Sequence, residues 1–369
     1  MKVARQSILS VKPYVGGQPI ADVKRELGLK SVIKLASNEN PYPPSPKVLA
    51  AIARAARDVN RYPDGNCYEL RRVLAKRLGV VPGQLVFGNG SDEIIVMAVR
   101  AFVREGDEVV IAKPSFLVYD LASRIAGARV REVALKNFRY DLGGMKRAVN
   151  KRTKIVFIGN PDNPAGTYVT RQQIKAFLKG VSRNVLVFMD EAYFEYVRAE
   201  DYPDGIRLIA GHPNVVVTRT FSKMYGLAAL RVGYGVAQPA VIDILNRVRE
   251  PFNVNALAQS AAVAALQDRA YYAGIADDIE AQRRFLYRSL TALGVEYVES
   301  FTNFILVRTG DGAAAARALL KKGVIVRDMS AWGLKGYIRV SLGTSAENKR
   351  FIKTLGLTLS ASGTLSNLQ

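Results

Sequence analysis

Cysteine and histidine are almost absent: the 369-residue chain holds one of each, Cys67 and His212. A lone cysteine excludes an intramolecular disulfide and any cysteine-cluster metal site. A lone histidine leaves little room for metal ligation or a Ser-His-Asp triad, so proton transfer in an enzyme of this composition falls to lysine or carboxylate groups. Long apolar runs are missing as well. The N-terminal MKVARQSILSVKPYVGG has no stretch of signal-peptide length and no later segment reaches transmembrane length, which reads as a cytoplasmic protein without a membrane partner. Acidic residues are in short supply, 32 Asp and Glu against 53 Lys and Arg, for a formal charge of +21. The basic residues are scattered, and pairs such as Arg71-Arg72 and Lys321-Lys322 lie inside helix-like patterns with no basic tail or stacked-aromatic motif beside them. A solvated basic surface that attracts anionic, phosphorylated small molecules is therefore expected, and no nucleic-acid partner.

What the chain does have is alternation. Five apolar, β-branched-rich runs each end in a Gly, Pro or polar cluster: LVFGNGSDE, VVIAKPSF, KIVFIGNPDNPAGT, VLVFMDEAY and VVVTRTFSK. Amphipathic helical patterns such as 94–104 and 171–179 separate them, which predicts an α/β fold with a mostly parallel sheet flanked by helices. Residues 1–42 read as an irregular N-terminal arm that packs with a smaller domain, and 43–262 as the large domain. Residues 263–358 read as a small C-terminal α+β domain, with helices over 255–266, 277–293 and 313–322 and strands in FTNFILVR, GVIVRD and YIRVSLG. The remainder, 359–369, reads as a polar tail.

The chemistry gathers where strands end, which is where open α/β sheets bind ligands. Lys223 follows VVVTRTFS in a glycine-rich loop. A surface lysine is the plain reading, but Thr220, Ser222 and Arg231 beside it can cup a phosphate, and apolar surroundings would suit the amine for a Schiff base with an aldehyde cofactor. Asp190, closing VLVFM, can cap a helix or serve as the buried anion that keeps a pyridine ring protonated. Tyr193 can pack or present its phenol to the ring hydroxyl. Asn163 in NPDNPAGT belongs to a turn and offers an amide at a strand end. GNGSDE forms a strand-to-helix junction whose Ser91 and Asp92 amides can hold an anion. Phe116 is core or the cover of a planar ring.

Taken in order, VIKLASNENP, RYPDG, FGNGSDE, NPDNPAGT, DEAYFEY, RTFSK with Arg231 eight positions on, VRD and YIRVSLGT resemble the fold-type I pyridoxal-phosphate-dependent aminotransferases, and among them most the histidinol-phosphate aminotransferases. The resemblance runs from KPYVGG to YIRVSLGT. It implies pyridoxal 5'-phosphate as cofactor, with Lys223 bonded to its aldehyde, Asp190 on the pyridinium, Asn163 and Tyr193 on the ring hydroxyl, and Phe116 stacked on the ring. It implies a phosphate held by the Ser91 and Asp92 amides, Thr220, Ser222 and Arg231, with Tyr62 reaching in from the second subunit of a homodimer. Tyr14, Asn38, Arg327 and Arg339 are implied as substrate-binding residues. Phe116 stands where many members carry tyrosine, so no hydroxyl is available over the ring. The expected reaction is a reversible, ping-pong transfer of the amino group of histidinol phosphate to 2-oxoglutarate, giving imidazole-acetol phosphate and glutamate in histidine biosynthesis. An aminotransferase for aromatic amino acids and a threonine-phosphate decarboxylase are the alternatives on the same scaffold.

Overall fold

The computed structural model describes residues 3–9, 11, 13, 16 and 19–361. Its central feature is a seven-stranded sheet. After a short strand β1 (Ile33–Lys34), the chain lays down β2 (Leu85–Gly88), β3 (Glu108–Lys113), β4 (Arg129–Ala134), β5 (Thr153–Gly159), β6 (Leu186–Asp190), β7 (Val215–Thr220) and β8 (Gly233–Val236). The sheet order is β2-β8-β7-β6-β5-β3-β4, and β8 runs antiparallel to both of its neighbours while the remaining pairs are parallel.

Both faces of this sheet are covered, which explains why the strands read as unbroken apolar runs. Side chains alternate across a strand. Along β5, Ile155 and Phe157 enter one core with Ile94, Phe188 and Leu245, while Val156 and Ile158 enter the other with Val187 and Phe221. All four β5 residues are fully buried.

A second sheet comes from the C-terminal third: β9 (Tyr297–Val298), β10 (Phe304–Arg308), β12 (Arg327–Asp328) and β13 (Tyr337–Ser341), in the antiparallel order β12-β13-β10-β9. Between them, β11 (Val324–Ile325) pairs in parallel with β1. The run GVIVRD, expected as one strand, is therefore shared between two sheets. The helix Ala256–Gln267 packs on helices Pro46–Ala55 and Tyr68–Leu78 and passes unbroken across the expected boundary between residues 262 and 263.

Some expectations need correcting. The segment expected as an irregular arm includes the helix Ile20–Leu27, closed by Gly28 at φ 64°, as well as β1. The final helix, Ser345–Ala361, runs into the expected polar tail, and the helix expected over 277–293 starts earlier, at Arg269. Strands β4 and β8 were not legible. β4 (RVREVA) is a half-exposed edge strand whose charges mask its apolar alternation, and β8 (GYGV) is four residues long with two glycines.

Candidate active site

The carboxyl ends of β2, β5, β6 and β7 open into one cavity of about 420 Å³. Every expected site residue that the structure describes lines it, Tyr62 excepted: the cavity wall includes Lys223, Asp190, Tyr193, Asn163, Phe116, Asn38, Ser91, Asp92, Thr220, Ser222, Arg231, Arg327 and Arg339. Tyr62 lies elsewhere on the surface, 83% exposed and stacked on Phe252 with ring centroids 4.8 Å apart. Tyr14 falls outside the described residues.

Lys223 stands in the loop after β7, where its Nζ donates to the Ser37 carbonyl at 3.5 Å. Burial, with the positive charge of Arg339 as the next cause, lowers the ammonium from its ordinary 10.5 to about 8. A half-buried amine that gives up its proton near pH 8 is a nucleophile and a base, which a fully exposed lysine is not.

Asp190 ends β6 with three donors on its carboxylate: the Tyr119 phenol at 2.7 Å, the Ala192 amide at 3.2 Å and the Thr218 hydroxyl at 3.4 Å. Burial pushes the carboxyl up to about 6 against the downward pull of these bonds. An anion held this way needs a cationic partner in the cavity. Behind it, Glu191 accepts two bonds from Arg219, at 2.9 and 2.7 Å, and Arg219 also reaches Asp204 at 2.6 Å. Since Glu191 follows Asp190 and Arg219 precedes Thr220, this buried pair ties together the ends of the two strands that carry the site.

The anion cup is built at the start of the helix Ser91–Phe102. Its N-cap, Gly90, sits at φ 80°, and a Cβ there would lie 2.4 Å from Arg231 Nη2. At Gly233 a Cβ would meet the Ser91 backbone nitrogen at 2.5 Å. Both positions are kept free of side chain so that guanidinium, helix N-terminus and strand β8 can converge. Arg231 donates from Nη1 to Ser222 Oγ at 3.3 Å and from Nη2 to Asp92 Oδ2 at 3.2 Å, while the Ser222 amide donates to Thr220 Oγ1 at 3.1 Å. A helix N-terminus, two hydroxyls and a guanidinium fit a phosphate monoester. With Lys223 and Asp190 in the same cavity, the set fits the cofactor that the sequence resemblance implies.

On the opposite wall, Asn38 Nδ2 donates to the Tyr193 phenol oxygen at 2.9 Å, and burial raises that phenol to about 12. Arg339 is 5% exposed; its Nη1 donates to Asn163 Oδ1 and its Nη2 to the Ala36 carbonyl at 3.3 Å. Arg327 and Arg339 face each other in register on β12 and β13.

Two residues of this site escaped sequence reasoning. Tyr119 lies one helical turn beyond Phe116, a spacing that places both on one face and offered a usable signal. Trp332 follows β12 and lines the cavity near both arginines; apart from being the chain's only tryptophan it carried no mark.

The family model "Aminotransferase class I and II" matches residues 30–355. The histidinol-phosphate aminotransferase of Moorella thermoacetica is 49% identical over 95% of this chain and 92% of its own length, and that of Halalkalibacterium halodurans is 44% identical over the whole of both chains. Among solved structures, histidinol-phosphate aminotransferase from Sinorhizobium meliloti in complex with pyridoxal-5'-phosphate superposes with a TM-score of 0.91 at 30% identity, covering 98% of this chain and 99% of that one. An aspartate aminotransferase from Thermus thermophilus with maleate, at 24% identity and a TM-score of 0.82, shares the fold. With a match over most of its length and relatives this similar, the chain belongs to the class I and II aminotransferases.

Proposed function

We propose that this chain is a pyridoxal-phosphate-dependent transaminase that moves the amino group of histidinol phosphate to 2-oxoglutarate, reversibly and by a ping-pong cycle. The observation that carries the reading is the pairing, within one cavity, of a half-buried low-pKa lysine and a donor-held aspartate with two arginines opposite each other across β12 and β13. A simple amino-acid donor needs one guanidinium for its carboxylate. A phosphate monoester uses two, each able to donate bidentately. The names of the relatives point the same way.

When bound, pyridoxal phosphate supplies an aldehyde that takes up amino groups and a ring that accepts the electron pair left when a carbon loses its proton. The chain's own residues do the rest. Asp190 would hold the proton on the ring nitrogen, and Tyr119, Thr218 and the Ala192 amide keep it aimed there as an acceptor. Asn163 and Tyr193 would hold the ring hydroxyl, with Phe116 over the ring face. The Ser91 and Asp92 amides, Thr220, Ser222 and Arg231 would anchor the phosphate. Lys223, neutral above a pH of about 8, would take the proton from the substrate carbon that bears the nitrogen.

Arg327 and Arg339 would bind the substrate phosphate beside Asn38; Tyr14, the remaining expected substrate contact, lies outside the described residues. The exposure of Tyr62, far from its own cavity, suits a homodimer in which it completes the cofactor site of the other copy. Among the described residues no helix is long and apolar enough to cross a membrane. Chemistry on free, phosphorylated metabolites fits a cytoplasmic setting.

The test is an amine-donor screen with 2-oxoglutarate as acceptor, following glutamate formation and the visible spectrum of the bound cofactor. Histidinol phosphate should turn over with the highest kcat/KM. Turnover of phenylalanine but not histidinol phosphate would transfer the enzyme to the aromatic aminotransferases, and release of carbon dioxide from threonine phosphate would replace the transaminase reading altogether.

A further inference from the structure

We infer that Trp332 is a positioning residue that holds Arg327 and Arg339 as a two-armed anion clamp, its indole lying within cation–π range of both guanidiniums. This deepens the substrate reading above and rests on it.

The register of β12 and β13 sets Arg327 directly opposite Arg339. Opposed residues of an antiparallel pair project on the same face with side chains in reach of each other, and like charges placed so repel. Arg339 is anchored through Asn163 Oδ1 and the Ala36 carbonyl, and one aromatic ring lies near both guanidiniums. The guanidinium carbons lie 5.8 Å (Arg327) and 5.9 Å (Arg339) from the centroid of the same Trp332 ring. The negative face of an indole is the strongest of the aromatic partners for a guanidinium, so one ring offsets part of the repulsion on both arms. Arg339 has a second aromatic partner, Phe304, at 5.2 Å; Trp332 is the ring that the two arginines share.

The indole is placed by backbone geometry and its faces rather than by its polar edge. Trp332 ends a single turn, Ser330–Trp332, that begins one residue after β12 and is closed by Gly333 at φ 78°. The turn is pinned at its start, where the Ser330 amide and hydroxyl both donate to Asp328 Oδ1, at 3.0 and 2.8 Å, and at its end, where the Trp332 amide donates to the Met329 carbonyl at 3.0 Å. A buried indole N–H usually finds an acceptor. Here Nε1 is buried and meets none among the described residues. The same ring also separates the site from a neighbouring cavity of about 950 Å³, whose wall it shares with Leu117, Leu121 and Arg327. The residue thus sets both the spacing of the cations and the far wall of the substrate space.

Trp332 is the chain's only tryptophan, so its emission reports on the clamp directly. In the cofactor-loaded enzyme, titration with inorganic phosphate should change the emission saturably, and Arg327→Gln should abolish that response. In steady-state kinetics, Trp332→Leu should raise KM for histidinol phosphate about tenfold with kcat within about threefold, and Trp332→Phe, which keeps a π face, about threefold. The visible spectrum of the bound cofactor should be unaltered in both variants, which separates a positioning effect from misfolding; should the Leu variant fail to fold, the Phe variant and the emission titration decide. Saturable phosphate binding that leaves the emission unmoved, or a folded Trp332→Leu whose KM lies within about twofold of the parent, would overturn the inference. If the parent enzyme does not turn over histidinol phosphate at all, it is the functional reading that falls. The emission titration then decides the clamp by itself: a response that requires Arg327 supports it, and no response overturns it.

Discussion

The phenol of Tyr119 donates to Asp190 Oδ2 over 2.7 Å, from a fully buried ring that stacks on Phe157 with centroids 4.8 Å apart. The bond fixes which way the carboxylate faces and supports its charge in a place where burial opposes it. Replacing Tyr119 by Phe keeps the stack and removes the donor alone. Loss of one hydrogen bond to a charged group should lower kcat about tenfold. The sign of the pH effect also follows. Tyr119 pulls the Asp190 carboxyl down, so without it the carboxyl titrates higher and the acid limb of the pH–rate profile should move to higher pH. A profile whose limb stays in place would show that the bond does not govern the charge on Asp190.

Gly90 leaves room for the Arg231 guanidinium by having no side chain. Alanine at this position would bring a Cβ to within 2.4 Å of Arg231 Nη2 and would occupy a left-handed backbone at φ 80°. The guanidinium is the mobile partner and should give way, so Gly90→Ala should fold with a loss of about 1–2 kcal/mol and bind pyridoxal phosphate about tenfold more weakly. Equilibrium dialysis of the cofactor, together with denaturant melts of the cofactor-free protein, measures both. Unchanged cofactor affinity would remove Arg231 from the cup.

Lys223 should capture the cofactor aldehyde with an unusual pH dependence. Only the neutral amine attacks a carbonyl, and burial moves the ammonium down from 10.5 to about 8. The rate at which cofactor-free protein develops the absorption of the bound form should therefore rise with pH to a midpoint near 8. A midpoint near that of a free lysine, above 10, would mean that the amine is not held as the geometry indicates. The same shift bears on stability: between pH 8 and 10.5 the unfolded chain binds the extra proton, so this residue makes the cofactor-free protein more stable as pH rises through that window.

Much of this was legible in the sequence because the chemistry sits where the strands stop. Five of the seven central strands announced themselves as apolar runs, and the residues at their ends or just past them, Asn163, Asp190, Thr220, Ser222 and Lys223, were readable as site candidates for that reason. Arg231 was readable for its distance from Lys223 along the chain, and the structure brings it back through the short 3-10 turn Ala228–Leu230 with its own backbone left-handed, at φ 54°. The illegible parts share one cause, which is that their meaning depends on a partner distant in sequence. β4 is a strand because β3 lies beside it, and β8 because β2 and β7 do. Tyr119 matters through Asp190, 71 positions away. Trp332 matters through two arginines that a strand register brings together.

The central claim is that Lys223 is the side chain that holds the cofactor. Reducing the loaded enzyme with borohydride and mapping the digest by mass spectrometry tests it most directly. A single pyridoxyl adduct is expected, on the peptide that contains Lys223, and none in Lys223→Ala. An adduct on any other lysine of the loaded parent enzyme, or no adduct at all, would contradict it.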